Sequence, residues 1–297
     1  MTNPPIGSRV TVRYRESDGG QTDVIGHLVS GPPVIEVRAA DSAEKTVRID
    51  AADVVAVREL SHAPVRNSQI RDLEHAAALA WPGTEQHRHR GWLLRAAHGH
   101  TRRANSAVPL DFGCSVADIP AIADFYARRG LAPWLSLPER LLAVRAAGIE
   151  RTAVLVADVN AIAPPDGVVL TDRPDRAWLE CYRRDVPPDV LTAVIDGDVA
   201  FACADGVAVG RGAVTTAPDG TRWLGISSVR VSETAHRRGH ARSVCTALQN
   251  WGAGAGATRA YVRVLTDNTE ARTLYASLGF GLHHSARYID ARTLVTN

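Results

Sequence analysis

The chain has 297 residues, 45% of them apolar, which is enough for two or more cored domains and excludes a disordered or fibrous protein. Lysine and arginine number 34 against 32 aspartate and glutamate, a formal net charge of +2, so nothing calls for nucleic acid or an anionic membrane as partner. Cys114, Cys181, Cys203 and Cys245 lie without Cys-x-x-Cys spacing, and neither a signal peptide nor an apolar run of membrane length is legible; a cytoplasmic protein with reduced thiols and no zinc or disulfide framework is expected.

Residues 6 to 60 read as five short strands: Arg9 to Arg13, Val24 to Val29, Val34 to Arg38, Thr46 to Ile49 and Val54 to Val57. Asp18-Gly-Gly20, Gly31-Pro-Pro33 and Asp41-Ser42 punctuate them. Such spacing predicts a small antiparallel barrel over residues 1–60, and it resembles the Tudor type. Tudor-type barrels often read methylated lysine through an aromatic cage, but Tyr14 is the only aromatic before Trp81. The barrel is therefore read as a packing or oligomer-contact module, a homodimer being one arrangement left open. Leu60 to Asn67 reads as a linker.

A helix from Ser68 through Leu79 leads to two expected strands of a hairpin, Trp92 to Arg95 and Thr101 to Ser106. A helix over Val116 to Arg129 places Ile119, Ile122, Ala123 and Tyr126 on one face. A short strand near Trp134, a helix from Pro138 to Ala147 and a strand from Thr152 to Val159 follow. Residues 160 to 176, rich in Pro, Gly and Asp, read as a connection. A helix from Pro174 to Arg183 and strands Val190 to Ile195, Val199 to Ala204 and Val207 to Thr215 come next.

Chemistry concentrates between Trp223 and Phe280. An apolar run, Trp223 to Val231, enters a basic glycine loop, His236-Arg-Arg-Gly-His-Ala241, and the helix beyond it carries Val244, Ala247, Leu248 and Trp251 at i, i+3, i+4, i+7. Free N–H groups and the positive end of the helix dipole make its N-terminus an anion site, and Gly239 lets backbone approach closely. Arg237, Arg238 and Arg242 sit where the dipole disfavours cations, which makes sense if an anion binds there. A second apolar run, Arg259 to Leu265, precedes Asn268, Leu274-Tyr275 and Leu278-Gly-Phe280. Gly252-Ala-Gly-Ala-Gly256 follows a helix and precedes a strand, the wrong context for a dinucleotide loop. His87 with His89, and His283 with His284, lack matched Cys or carboxylate partners, so no metal is expected.

Gly239, Ala241, Asn268, Leu274, Tyr275, Leu278, Gly279 and Phe280 stand in the order and spacing of the acyl-CoA-binding half of the GNAT superfamily of N-acetyltransferases, which this stretch resembles. His236 departs from the pattern, standing where Gln or Arg is usual. The resemblance implies an α+β GNAT fold with acetyl-CoA as cosubstrate and no metal. It implies that Val229, Arg230 and Val231 pair with the pantetheine arm, and that Arg237, Arg238, Gly239, His240, Ala241 and Arg242 take the phosphates. Asn268 would cap its helix and face the cofactor, and Tyr275 would be the acid for the leaving thiolate. No general base is assigned, since residues 223 to 231 hold no carboxylate; Glu233, Glu180, Glu270, a histidine through water, or a backbone carbonyl with water are open.

The order from Ser68 echoes the second half. Gly113 and Gly239, and Gly130 and Gly256, stand the same 126 residues apart, and Ala147-Gly148-Ile149 matches Leu278-Gly279-Phe280. The reading is a degenerate GNAT-like half over residues 68–165 and an active GNAT domain over residues 171–297. The first lacks the loop arginines around Leu110 to Ser115 and has Val144 in place of Tyr275, so one cofactor is expected per chain. The acceptor is read as a primary amine of a small metabolite or amino-acid-like molecule held between the halves by Arg102, Arg103 and Asn105, with Ser106 beside them. A protein acceptor (lysine, histone-like or N-terminal) and a noncatalytic CoA-binding module are the competing readings.

Overall fold

A computed structural model describes residues 4–39, 46–60, 65–159, 163 and 165–295. Strands β1 (Arg9–Arg15), β2 (Gln21–Ser30), β3 (Val34–Ala39), β4 (Thr46–Asp50) and β5 (Val54–Glu59) form one antiparallel sheet in the order β4-β3-β2-β1-β5. Alternation drives it: Val10, Val12, Val24, Leu28, Ile35, Val37 and Ile49 point to a common core while their neighbours face water. All five expected strands are present. The turn expected at Asp41-Ser42, part of the linker and part of the 160–176 connection lie outside the described residues.

The rest of the chain runs α1 (Asn67–Ala80), β6 (Glu85–His89), β7 (Trp92–Ala96), β8 (Ala107–Pro109), α2 (Ile119–Ala127), β9 (Trp134–Pro138) and β10 (Ile149–Asp158). Then come β11 (Val168–Thr171), α3 (Arg176–Tyr182), α4 (Pro188–Thr192), β12 (Asp198–Ala204), β13 (Ala208–Thr216), β14 (Arg222–Val231), α5 (His240–Gly254), β15 (Arg259–Leu265), α6 (Thr269–Ser277) and β16 (Gly281–Asp290). All eleven strands join one sheet in the order β11-β12-β13-β14-β15-β10-β16-β9-β8-β7-β6.

Apart from β11 at one edge, that order is symmetric about the β10·β16 pair. Parallel neighbours occur twice, β14 with β15 and β8 with β9, each joined through a crossover helix, α5 and α2. β10, from the first half, lies between β15 and β16 of the second, and β16 lies between β10 and β9 of the first. Each half is thus completed by a strand of the other. One core cluster, containing Val244, Leu248, Leu224 and Val262, lies under α5, and another, containing Ile122, Tyr126, Leu94 and Leu135, lies under α2.

Three expected elements differ. Residues 139–148 form no helix, because β16 takes their backbone groups: Glu139 N–H donates to the Ser285 carbonyl (2.8 Å) and Arg287 donates to the Val144 carbonyl (2.9 Å). Thr101 to Ser106 is a turn, and the hairpin partner of β7 is β6. Val190 to Ile195 is not a strand; Pro188 opens α4, and Arg211 takes the Leu191 and Ala193 carbonyls at its end (2.6 and 2.9 Å). A part-buried ion pair, Glu59 with Arg272, ties the barrel to α6. Among the described residues no helix is long and apolar enough to cross a membrane.

Candidate active site

Pairing of β14 with β15 runs only from Trp223–Arg259 to Ile226–Val262. Beyond Ile226, β14 follows β13 instead, through a register shift that passes over Gly210, and Ser228 adopts φ 55°. A bulge of this kind kinks a strand and raises its twist, so Ser227 to Val231 turns away from β15 and leaves that edge without a partner strand among the described residues. Arg230 fixes the splayed end by donating to the Tyr182 carbonyl (3.2 Å), and the Ser228 hydroxyl donates to the Tyr182 phenol oxygen (3.3 Å). Val229 and Val231 are half-buried against the core under α5.

At the end of β14 the chain passes through a 3-10 turn, and Arg237 and Gly239 both take left-handed φ, 60° and 86°. No side chain caps α5 at Gly239, and a Cβ there would meet nothing within 4 Å. The first N–H groups of a 15-residue helix, those of His240, Ala241 and Arg242 included, therefore open to solvent beside the splay. Arg238 is exposed, and Arg237 lies 3.7 Å from Glu270, both exposed. Arg242 is engaged differently: it donates to the Ser277 hydroxyl (2.6 Å) and carbonyl (3.4 Å), joining the start of α5 to the end of α6. The residues fit a CoA phosphate chain: bare amides, a left-handed glycine with open space above it, and exposed arginines.

Tyr275 on α6 is buried, its ring 5.7 Å from that of Phe280, and burial pushes its phenol well above the usual range. Beside it Cys245 is wholly buried, its thiol pushed up to about 12 by burial, and is thereby inert. Asn268 Oδ1 accepts from the Ala271 N–H (3.0 Å), so it caps α6 as its position suggests.

On the other side of the splay, a cavity of about 10 Å³ separates α1 and the first half from β14. Trp81, Arg95, Arg103, Ser227, Tyr261 and Arg263 line it, and the Trp81 indole N–H donates to the Ser227 hydroxyl (3.2 Å). Arg103 stacks over Trp81 at 5.4 Å. Arg102 instead pairs with Glu150 and stacks on Trp134 at 4.7 Å, outside the cavity lining. Asn105 holds its own loop together: Oδ1 accepts from the Ala97 and Gly99 N–H groups (2.7 and 3.0 Å), and Nδ2 donates to the Ala97 and Thr101 carbonyls (3.2 and 2.7 Å). The lining holds no carboxylate. Glu180 pairs with Arg176, Glu270 faces Arg237, and Glu233 is exposed.

Of the ionisable groups buried behind this cavity the sequence reading considered His283 and His284, as a metal pair without matched ligands, and did not single out Glu74, Arg211 or Arg263. Glu74 on α1 pairs with Arg263 and accepts from His284 (2.8 Å), and His284 meets His283 Nδ1 to Nδ1 at 2.8 Å. Burial raises the Glu74 carboxyl, but Arg263 and His284 outweigh it and hold the group at about 2. His283 is lowered to about 3, by burial first and the neighbouring His284 second. Arg211, fully buried, donates to the Leu191, Ala80 and Ala193 carbonyls and stacks over Trp81 at 4.4 Å. The available signal was a charge inside an apolar run: Leu94-Arg95-Ala96, Val262-Arg263-Val264 and Glu74 beside Leu73, Ala76 and Ala77.

A splayed parallel pair feeding an uncapped crossover helix defines the acyl-CoA-binding class of α+β folds, and a solved GCN5-related N-acetyltransferase from Kribbella flavida superposes with a TM-score of 0.54. That alignment covers 76% of this chain and 95% of that one at 17% identity, a likeness of fold. The family described as Probable histone acetyltransferase Rv0428c C-terminal matches residues 67–289, and Rv0428c N-terminal Sm-like domain matches residues 4–58. The protein from Mycobacterium tuberculosis (strain ATCC 25618 / H37Rv) named "Probable histone acetyltransferase Rv0428c" is 48% identical over 297 residues, 98% of this chain and 97% of that one. The chain belongs to the Rv0428c family, a GNAT-type fold with a degenerate first half behind a small all-β barrel.

Proposed function

We propose that the protein transfers an acetyl group from acetyl-CoA to the primary amine of a small acceptor, using the splay between β14 and β15. The observation that carries this is the uncapped N-terminus of α5 at Gly239, set beside an unpaired edge of β14. Acetyl-CoA, when bound, supplies the activated acetyl thioester. The amides of His240 to Arg242 and the side chains of Arg237 and Arg238 hold its phosphates, while Arg242 keeps α5 and α6 in register through Ser277. The backbone of Ser227 to Val231 pairs with the pantetheine arm and offers an N–H to the thioester carbonyl, a donor whose loss typically costs about 10²–10³ in rate. Tyr275, kept protonated by burial, donates toward the sulfur as it leaves. A water carries the proton from the acceptor nitrogen back to the Tyr275 oxygen, so that CoA leaves as the thiol and the phenol is restored.

Thiol release tests this. Changing Arg237 and Arg238 together to Ala should raise KM for acetyl-CoA at least tenfold and leave KM for acetyl-pantetheine, which lacks the nucleotide phosphates, nearly unaltered. An equal loss for both donors overturns the assignment of the loop. The name of the M. tuberculosis relative supports a second reading, a protein acceptor.

A further inference from the structure

We propose that the acceptor amine carries an anionic group of its own, received by Arg95, Arg103 and Arg263 in the cavity behind Ser227. The inference rests on the acetyl-transfer reading for its chemistry, and on a separate observation for its charge.

Four arginines gather around Trp81 and Tyr261, and one carboxylate answers them. Arg263 pairs with Glu74, whose other oxygen already accepts from His284. Arg95, 4% exposed, has neutral partners only: the Trp81 carbonyl (3.2 Å), the Ser106 carbonyl (3.4 Å) and the Ser106 hydroxyl (3.1 Å). Arg211, 0% exposed, likewise donates only to carbonyls, and its Nη1 has no partner. Arg103 completes the wall, with no carboxylate in ion-pair range among the described residues. Burial lowers the Arg211 guanidinium to about 9, as expected of a cation that lost its water without gaining an anion.

Buried cations without counter-charge are costly, and an anionic ligand relieves that cost. Arginine's planar fork suits a carboxylate, sulfonate or phosphate. The cavity is near one water site in volume, room for one oxygen of such a group, so the rest of the group is admitted only as half-buried Arg103 swings out from the wall. Gly225, Ile226 and Ser227, also in the lining, straddle the point where β14 leaves β15, which sets the anion beside the free edge of β14. The same surplus of positive charge favours the neutral, nucleophilic form of the nearby amine. It also repels lysine-rich tails, so it separates a small anionic acceptor from a histone-like one.

Two measurements decide it. In the first, formate, methanesulfonate and inorganic phosphate are titrated into the full chain without acetyl-CoA, with the signal of Trp81 identified by its loss in Trp81→Phe. A saturable fluorescence change, weakened about tenfold to a hundredfold in Arg103→Gln, is expected, since a hydrogen bond to a charged group is lost. The tightest of the three anions names the group. No saturable change, or one that Arg103→Gln leaves intact, overturns the proposal. In the second, amines are compared in matched pairs, an amino acid with its amide and an aminoalkyl phosphate with its alcohol, alongside a lysine-rich peptide. The anionic member should have the higher kcat/KM by about tenfold or more, and Arg103→Gln should collapse that ratio, with Arg103→Lys restoring part of it. Equal rates, or preference for the peptide, overturn the proposal. Loss of the acetyl-transfer reading would look different: acetyl-CoA would fail to bind while the anion titration stayed intact.

Discussion

The two halves of the sheet share one topology and treat the same position in opposite ways. In the second half α5 begins bare at Gly239. In the first, the turn that leads into α2 is filled from within: the Ser115 hydroxyl accepts from the Ala117 N–H (3.2 Å), and the Asp118 carboxylate accepts from the Ser115 N–H (3.1 Å). Asp118 is buried, with Arg90 and His89 at 3.5 and 3.7 Å from its carboxylate. A carboxylate of the chain thus stands at the start of α2, where α5 starts at Gly239 with no side-chain cap. The Asp118 carboxylate satisfies an N–H of the turn before α2 and places a negative charge at that helix start without a ligand. The first half also has irregular chain at 139–148 where the second has α6.

Separating the halves should have the largest effect. A fragment beginning near Ser68 should fold and bind acetyl-CoA, whereas one beginning near Thr171 lacks β10, exposes the edges of β15 and β16, and should aggregate. Light scattering and calorimetric titration check both; a soluble, active Thr171 fragment would show that the strand exchange is dispensable.

Next in size is the seam between the halves. Glu74→Ala should destabilise the protein by about 3–5 kcal/mol in denaturant titration, since it strands Arg263 in the interior. Acid should reach the same seam in two stages. His283, lowered from 6.5 to about 3, resists protonation only when folded, so stability declines as pH falls from 6.5 toward 3. Glu74, lowered from 4.5 to about 2, contributes stability above 4.5 that is lost as pH falls toward 2. A melting temperature flat between pH 7 and pH 3 would refute both.

Paired glycine variants distinguish the two helix starts. Gly239→Val places a β-branched residue at φ 86°, a cost of about 1–3 kcal/mol, and should weaken acetyl-CoA by roughly tenfold to a hundredfold. Gly113→Val, at the matching position without a left-handed φ, should leave affinity unchanged. Equal losses would deny the halves different roles. Tyr275→Phe should lower kcat about tenfold with acetyl-CoA affinity retained, while Val144→Tyr in the first half changes neither. The smallest effect belongs to the internal anion: Asp118→Asn should cost about 1 kcal/mol of stability without altering cofactor affinity.

The barrel strands and the helix faces of α1, α2 and α5 were legible because period-2 and period-3.6 burial is written in consecutive residues. So were the start of α5 at Gly239 and the Asn268 cap of α6, which lie within one short stretch of chain. The repeat was visible in its glycines. Missed were elements whose hydrogen bonds are answered from afar, such as 139–148 against β16 and α4 under Arg211.

The sequence by itself determined the class of fold, the strands of the barrel and the start of α5 at Gly239, since each depends on local patterning and backbone chemistry. The tertiary structure alone decided that β10 and β16 complete each other's halves. It also decided that Arg95, Arg103, Arg211 and Arg263, scattered over about 170 residues, converge on Trp81 with Glu74 as their one carboxylate. Charges are placed in sequence one at a time, but their balance is set only when distant strands bring them into one low-dielectric space.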